Sequence, residues 1–218
     1  MPRTTVQFEA IREEKRKLIL ETALELFAEN GYHGTSISHI TKKAGISKGL
    51  LYNYFESKED VLKNIIRSGY EAAYNHLELN KEGVLVQDQF IHFLRMTFKA
   101  IQENRHFWQL YSALMFQQGI LDVALGEYEG KALMIQKLMT DFLKAMGSKD
   151  SETDLLAISS LIKGASVILI TAPDFFPADK LEATIIDSCF RLITTKENSG
   201  TKEGQKVTGK TENITTIQ

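Results

Sequence analysis

The sequence predicts an all-α fold, on three observations. Proline occurs only at Pro2, Pro173 and Pro177, so residues 3 to 172 carry no breaker of that kind. Glycines fall about one helix length apart. No stretch alternates apolar and polar residues as a half-buried strand would.

A first helix is expected over about residues 9–30. Ile11, Leu18, Ile19, Ala23, Leu26 and Phe27 form its apolar stripe, while Arg12, Lys15, Arg16, Glu21 and Glu25 face water. Gly31 ends it, and Tyr32-His33-Gly34 makes the link onward. Residues 35–58 then read as two short helices around a tight turn. Thr35 and Ser36 supply hydroxyl caps, and Ile37, Ile40 and Ala44 recur at helical spacing. Gly45 stops that helix, because without a Cβ it takes positive φ at little steric cost. Ser47 caps the next, whose buried face is Leu51 and Phe55 and whose other face carries Lys48, Gly49, Leu50, Tyr52, Asn53 and Tyr54. This is the helix-turn-helix arrangement, whose second helix can enter a DNA major groove. An ordinary helical hairpin has the same spacing.

Ser57-Lys-Glu-Asp60 has the Ser-x-x-acid form of a capping box and opens a fourth helix, with core positions Val61, Leu62, Ile65 and Ile66. It runs to about residue 77 and so links the small domain to the body. The body helices are expected over about 84–103, 105–118, 120–146, 152–172 and 178–195. Their apolar positions include Phe90, Leu94 and Phe98; Phe107, Leu110 and Leu114; and Leu133, Met134, Leu138 and Phe142. From residue 196 to 218 almost no apolar residue occurs, and the tail reads as disordered.

The 218 residues, 24.7 kDa, are 43% hydrophobic and 25% charged, as in soluble globular proteins. The net charge of −2 is unevenly divided. Residues 1–67 hold 11 Lys+Arg against 9 Asp+Glu, residues 68–195 hold 11 against 16, and the tail holds 4 against 3. The first segment is mildly basic, which permits phosphate contact, and the acidic body should face away from DNA. The longest apolar run, around residues 165–170, is far short of the ~20 residues of a membrane span. Residues 1–9 hold no apolar signal core, and the single cysteine, Cys189, excludes an internal disulfide framework. Both point to the cytoplasm.

Catalytic and metal patterns are incomplete. Glu103-Asn-Arg-His106 matches the Glu-x-x-His of di-iron bundles, which need a second such pair. Ser160-Leu-Ile-Lys163 lacks the partner motifs of Ser-x-x-Lys hydrolases. The histidines show no metal spacing, and no phosphate-binding glycine loop occurs. Neither a cofactor nor an enzyme is expected. Asn213-Ile-Thr215 is a chance match to a glycosylation acceptor, given no secretory signal.

Two other patterns each have two readings. The density of Phe, Met and Trp over residues 90–146 is either plain core or the lining of an apolar small-molecule cavity. For the cavity the candidates are His92, Phe93, Trp108, Tyr111, Met115, Gln117 and Met134. The last two helices carry Ala157, Ser160, Gly164 and Ile168, then Leu181, Ile185, Cys189 and Leu192. They pack on their own body or form a two-fold interface between copies, and the small residues favour the interface.

Residues 12–67 resemble the tetracycline-repressor (TetR) family of bacterial transcription regulators. The resemblance rests on Ala28-Glu-Asn-Gly-Tyr before Gly34-Thr-Ser, then Ile40, Ala44-Gly-Ile-Ser-Lys-Gly, Leu51-Tyr-Asn-Tyr-Phe, and Ser57-Lys-Glu with Leu62. It implies nine-helix subunits in three parts: a DNA-binding domain over 9–67 with its helix-turn-helix at 36–55, an effector-binding and dimerisation domain over 68–195, and the tail. It also implies a homodimer on a palindromic operator, released by a small apolar or amphipathic effector. Carried over, Thr35 or Ser36 would meet phosphate. Ser47, Lys48, Gly49 and Leu50 would open the recognition helix. Tyr52 and Tyr54 would bond phosphates, Asn53 would read adenine, and Lys58 would hold the backbone. The family often has His where this chain has Tyr54. A helical small-molecule binding protein without DNA binding is the competing reading.

Overall fold

The computed structural model describes residues 5–194, which form nine α-helices and no strand. They are α1 (Thr5–Asn30), α2 (Ile37–Ala44), α3 (Lys48–Tyr52), α4 (Lys58–Tyr74), α5 (Gln87–Glu103), α6 (Arg105–Met115), α7 (Ile120–Ala145), α8 (Ser151–Thr171) and α9 (Ala178–Thr194). The polar tail and its Asn213-Ile-Thr215 lie outside the described residues.

The helices pack around two cores. The first joins Ile19, Ala23, Leu24 and Phe27 of α1 to Ile40 of α2, Leu51 of α3, Phe55, and Val61, Leu62, Ile65 and Ile66 of α4. It also takes in Leu114 of α6 and Ile120, Ala124 and Tyr128 of α7. Residue 67 therefore divides the charge pattern but not the packing, because the α6–α7 corner closes the N-terminal core. The second core lies among α5, α7, α8 and α9, around Phe90, Leu94, Phe98, Phe142, Ile158 and Cys189. Burying side chains of this size stabilises by roughly 1.5–3 kcal/mol each.

Three expectations change here. Leu133 and Met134 of α7 point outward, because α7 packs on α8 and α4 by its other face. Ile185 and Cys189 are inside the second core, so they are removed from any surface between copies. Burial also pushes the Cys189 thiol up to about 11, which leaves it a small core residue. Finally, α8 is long and apolar enough to cross a membrane by length and composition, although no single apolar run in it is long. Only 28% of its most apolar stretch is buried within the subunit.

Candidate nucleic-acid interface

The interface is built by two capped helices and the turn between them. At the start of α2 the Ser36 hydroxyl accepts from the His39 amide (3.2 Å), and His39 Nδ1 accepts from the Ser36 amide (3.4 Å). The pair is a capping box whose third residue is His, which a search for Glu or Gln does not find. Gly45 at φ 64° ends α2, with its amide turned onto Lys42 and that of Ile46 onto Thr41. Ser47 then accepts from the Leu50 amide (3.1 Å), and α3 begins.

Helix α3 has five residues, and the chain is carried on from it by one tighter bond, Tyr54 N–H to Leu51 O, and one of α-helical span, Phe55 N–H to Leu51 O. Leu51 and Phe55 are buried and hold this segment on α1 and α4. Lys48, Gly49, Tyr52 and Asn53 are consequently outside, with Tyr52 53% exposed. Leu50 and Tyr54 are half-buried, and the Arg12 guanidinium sits 5.9 Å over the Tyr54 ring. Ser36 and Ser47 are exposed on the same stretch. Six of the ten expected DNA-facing residues, Ser36, Ser47, Lys48, Gly49, Tyr52 and Asn53, are thus exposed.

Thr35 and Lys58 have other work. Thr35 is 1% exposed, and its hydroxyl donates to the carbonyls of Gly31 (2.9 Å) and Leu26 (3.1 Å). It is turned back onto α1 and the residue that follows it, so Ser36 alone caps α2 and the Thr35 hydroxyl is turned away from any phosphate. Lys58 donates to the carbonyls of Tyr32 and Thr35, both at 2.8 Å, and lies 4.3 Å over the Tyr32 ring. Burial lowers its pKa, and two of its three N–H donors are occupied. Its first effect is to clamp the link between α1 and α2. At the far end of α2, Lys43 pairs with Glu25 (2.9 Å) and Glu29 (3.7 Å) of α1.

The expected capping box at Ser57 forms only in part. The Ser57 hydroxyl accepts from the Asp60 amide (3.0 Å), but the Asp60 carboxylate reaches the Glu56 amide (2.9 Å). On the other side of α4, Asn64 donates to Asp60 and accepts from the Arg16 guanidinium of α1 at 2.6 Å.

The seven candidate effector residues do not converge. His92 is exposed, as is Met134 at 64%, while Phe93 is core. Met115 packs on the N-terminal core. The Tyr111 hydroxyl donates to Ile66 O (3.3 Å), and burial pushes it up to about 12. Gln117 reaches back to α1: its amide donates to Phe27 O (2.6 Å) and its carbonyl accepts from Tyr32 N–H (2.8 Å). Trp108 does line a cavity, of about 540 Å³, between α1, α4, α5 and α6. Leu20, Leu24, Ile65, Ala72 and Phe107 line it too, and Glu13, Arg16, Lys17, Glu21 and Glu103 contribute charge. Sequence patterning placed the candidate cavity in the body; this one opens where α1 meets the body.

On α8, Ser160 and Gly164 are exposed, with Leu156 (70%) and Val167 (47%) on the same face. Ala157 and Ile168, and Leu181 and Leu192 on α9, are half-buried. Among the described residues no group of three His, Cys, Asp or Glu is gathered as a metal site.

The family model for bacterial regulatory proteins of the tetR family matches residues 19–65. Over 95 residues the chain is 38% identical to an uncharacterised HTH-type transcriptional regulator, YuxN, of Bacillus subtilis (strain 168), across 43% of this chain and 33% of that one. Over 49 residues it is 45% identical to the fatty acid metabolism regulator protein of the same bacterium, across 22% and 25%. The aligned stretch thus spans a quarter to a third of these relatives. The solved structure of the fatty acid degradation regulator FadR from Bacillus halodurans shares the fold. Its TM-score is 0.63 at 18% identity, over 81% of this chain and 94% of that one.

Proposed function

We propose that this chain, whose residues 19–65 match the tetR family of bacterial regulatory proteins, is a member of that family and a homodimeric, ligand-responsive DNA-binding regulator of transcription, acting as a cytoplasmic repressor. The observation that carries this reading is the outward face of α3: Lys48, Gly49, Tyr52 and Asn53 are presented to solvent while Leu51 and Phe55 hold the helix from behind. Helix termini and hydroxyls at Ser36 and Ser47 set the register on phosphates. Lys48 and Asn53 reach base edges, and Tyr52 bonds the backbone. Ligand sensing straddles the boundary near residue 67, since α1 and α4 line the cavity together with α5 and α6, and dimerisation falls to the C-terminal helices.

Two copies join through the outer face of α8, which leaves most of its apolar length uncovered in one subunit. The interface sets the two recognition helices roughly 34–36 Å apart, one helical turn of a palindromic operator. The effector enters the cavity beside Trp108, whose volume is of small-molecule size. An acyl chain suits its apolar residues, its head lying among the charges of Arg16, Lys17, Glu13, Glu21 and Glu103, and one relative is named for fatty acid metabolism and one structural neighbour for fatty acid degradation. Its occupant favours a state in which the recognition helices no longer match the operator, by no more than its differential affinity for the two states.

A mobility-shift titration at low salt, on duplex selected from a random pool by the protein, tests the DNA arm. The wild type retards it, and Lys48→Ala and Tyr52→Phe weaken retention while the dimer persists. Failure to select any duplex would favour the small-molecule binding protein without DNA binding. The effector arm is read separately. Trp108 is the only tryptophan, so decanoate should change its emission saturably, and an unchanged spectrum removes that assignment.

A further inference from the structure

We infer that Arg12 of α1 is a further DNA contact, a phosphate clamp beside the recognition segment, and that Tyr54 is the positioning residue that carries it. This rests on the DNA-binding reading above and extends that surface beyond the helix-turn-helix, onto α1.

The observation is a pair of arginines about one turn apart on α1, each laid on one of two successive aromatic rings. The Arg12 guanidinium lies 5.9 Å from the centre of the Tyr54 ring, and the Arg16 guanidinium 5.7 Å from that of Phe55. The two rings are neighbours in turn, with centroids 6.5 Å apart. A ring face attracts the cation, and the planar guanidinium keeps its N–H donors free at the edge. From there the two arginines differ. Arg16 is half-buried and donates to Asn64 Oδ1 at 2.6 Å, which fastens α1 to α4. Arg12 is exposed, and among the described residues it has no carboxylate or carbonyl partner. Glu9 and Glu13 share its open cleft without pairing with it.

The place of this free cation points to phosphate. Tyr54 follows Tyr52 and Asn53 in the segment whose outer face would enter the groove, so Arg12 stands one ring away from the reading surface. The major groove is ~12 Å wide and bordered by the two backbones. A cation beside the segment that fills the groove meets its phosphate wall and not the base edges. Two other cations of this region are already engaged, Lys58 on the carbonyls of Tyr32 and Thr35 and Lys43 on Glu25 and Glu29. Tyr54 is half-buried, and what it contributes is a ring face, with no part for its hydroxyl.

The test is the salt dependence of binding to the pool-selected duplex, measured on dimers of matched mass. Each phosphate contact adds about 0.9 to the slope of log affinity against log salt. Arg12→Ala should keep the melting temperature, weaken binding about ten-fold at low salt, and flatten the slope by about 0.9 per copy. The loss should be similar on an unrelated duplex, because a phosphate contact carries no sequence information. Tyr54→Phe keeps the ring and should match the wild type. Tyr54→Leu has similar bulk without a π face, and it should lose most of the same affinity and slope. Added to Arg12→Ala, it should cost nothing further. An unchanged slope in Arg12→Ala removes the contact. A loss in Tyr54→Phe equal to that in Tyr54→Leu assigns the phosphate to the Tyr54 hydroxyl, and additive losses in the double variant separate the two residues; either overturns the pairing. Should Tyr54→Leu fail to fold, Arg12→Ala and Tyr54→Phe still decide. If no duplex can be selected, the DNA-binding reading falls and the inference falls with it.

Discussion

Glycine 69 sets how closely α4 and α6 approach. A Cβ at that position would clash with the edge of the Tyr111 ring, so the residue is Gly for space and not for a turn. The sequence shows only a glycine inside a helix, which by propensity alone costs about 1 kcal/mol. We expect Gly69→Ala to destabilise the protein by about 1–3 kcal/mol through overpacking, despite its better helix propensity. Urea denaturation measures it, and pairing the change with Tyr111→Leu should recover most of the loss. A neutral Gly69→Ala would show that Tyr111 swings aside at no cost. Thr35 and Lys58 teach the same lesson in reverse. Their types suit phosphate, but their neighbours are backbone carbonyls that only the folded chain brings within reach.

At the scale of helices and turns, caps decide where the recognition unit begins and ends. Ser36, Ser47 and Ser57 each accept from an amide three residues on, and all three were legible as hydroxyls ahead of apolar runs. Ser36→Ala should cost about 1 kcal/mol of stability, measured by chemical denaturation. Because the cap also orients α2, it should weaken duplex binding further than stability alone explains. Equal retention by the Ser36→Ala variant and the wild type would remove Ser36 from the interface. Boundaries were less legible. Helix α5 begins at Gln87, three residues later than expected, because the Asn80 side chain draws in the amides of Glu82 and Val84 and Leu85 is buried in the second core. Such side-chain bonds compete with helix, and spacing alone does not reveal which prevails.

For the whole molecule the exposed face of α8 is the deciding feature. Leu156 and Val167 flank Ser160 and Gly164, and a Cβ at Gly164 meets nothing within the subunit. A helix this apolar, left uncovered, calls for a partner. Leu156→Glu with Val167→Glu should shift the light-scattering mass to that of one 24.7 kDa chain. It should also reduce duplex affinity sharply, since one recognition helix remains per particle. A dimer of unchanged mass would locate the contact elsewhere.

Periodicity, caps and the missing prolines determined by themselves that the chain is helical and where most helices lie. They also determined that Leu51 and Phe55 turn inward and leave Lys48, Tyr52 and Asn53 outside. These are local properties, set by spacing along one helix and by backbone sterics. Only the tertiary structure decided that the N-terminal core is completed by Leu114 and Ile120, that Gln117 grips α1, and that the cavity beside Trp108 opens at that junction. Each depends on residues some 40 to 90 positions apart meeting across helices. A side chain's partners there follow from how the helices cross, and no window of sequence contains that.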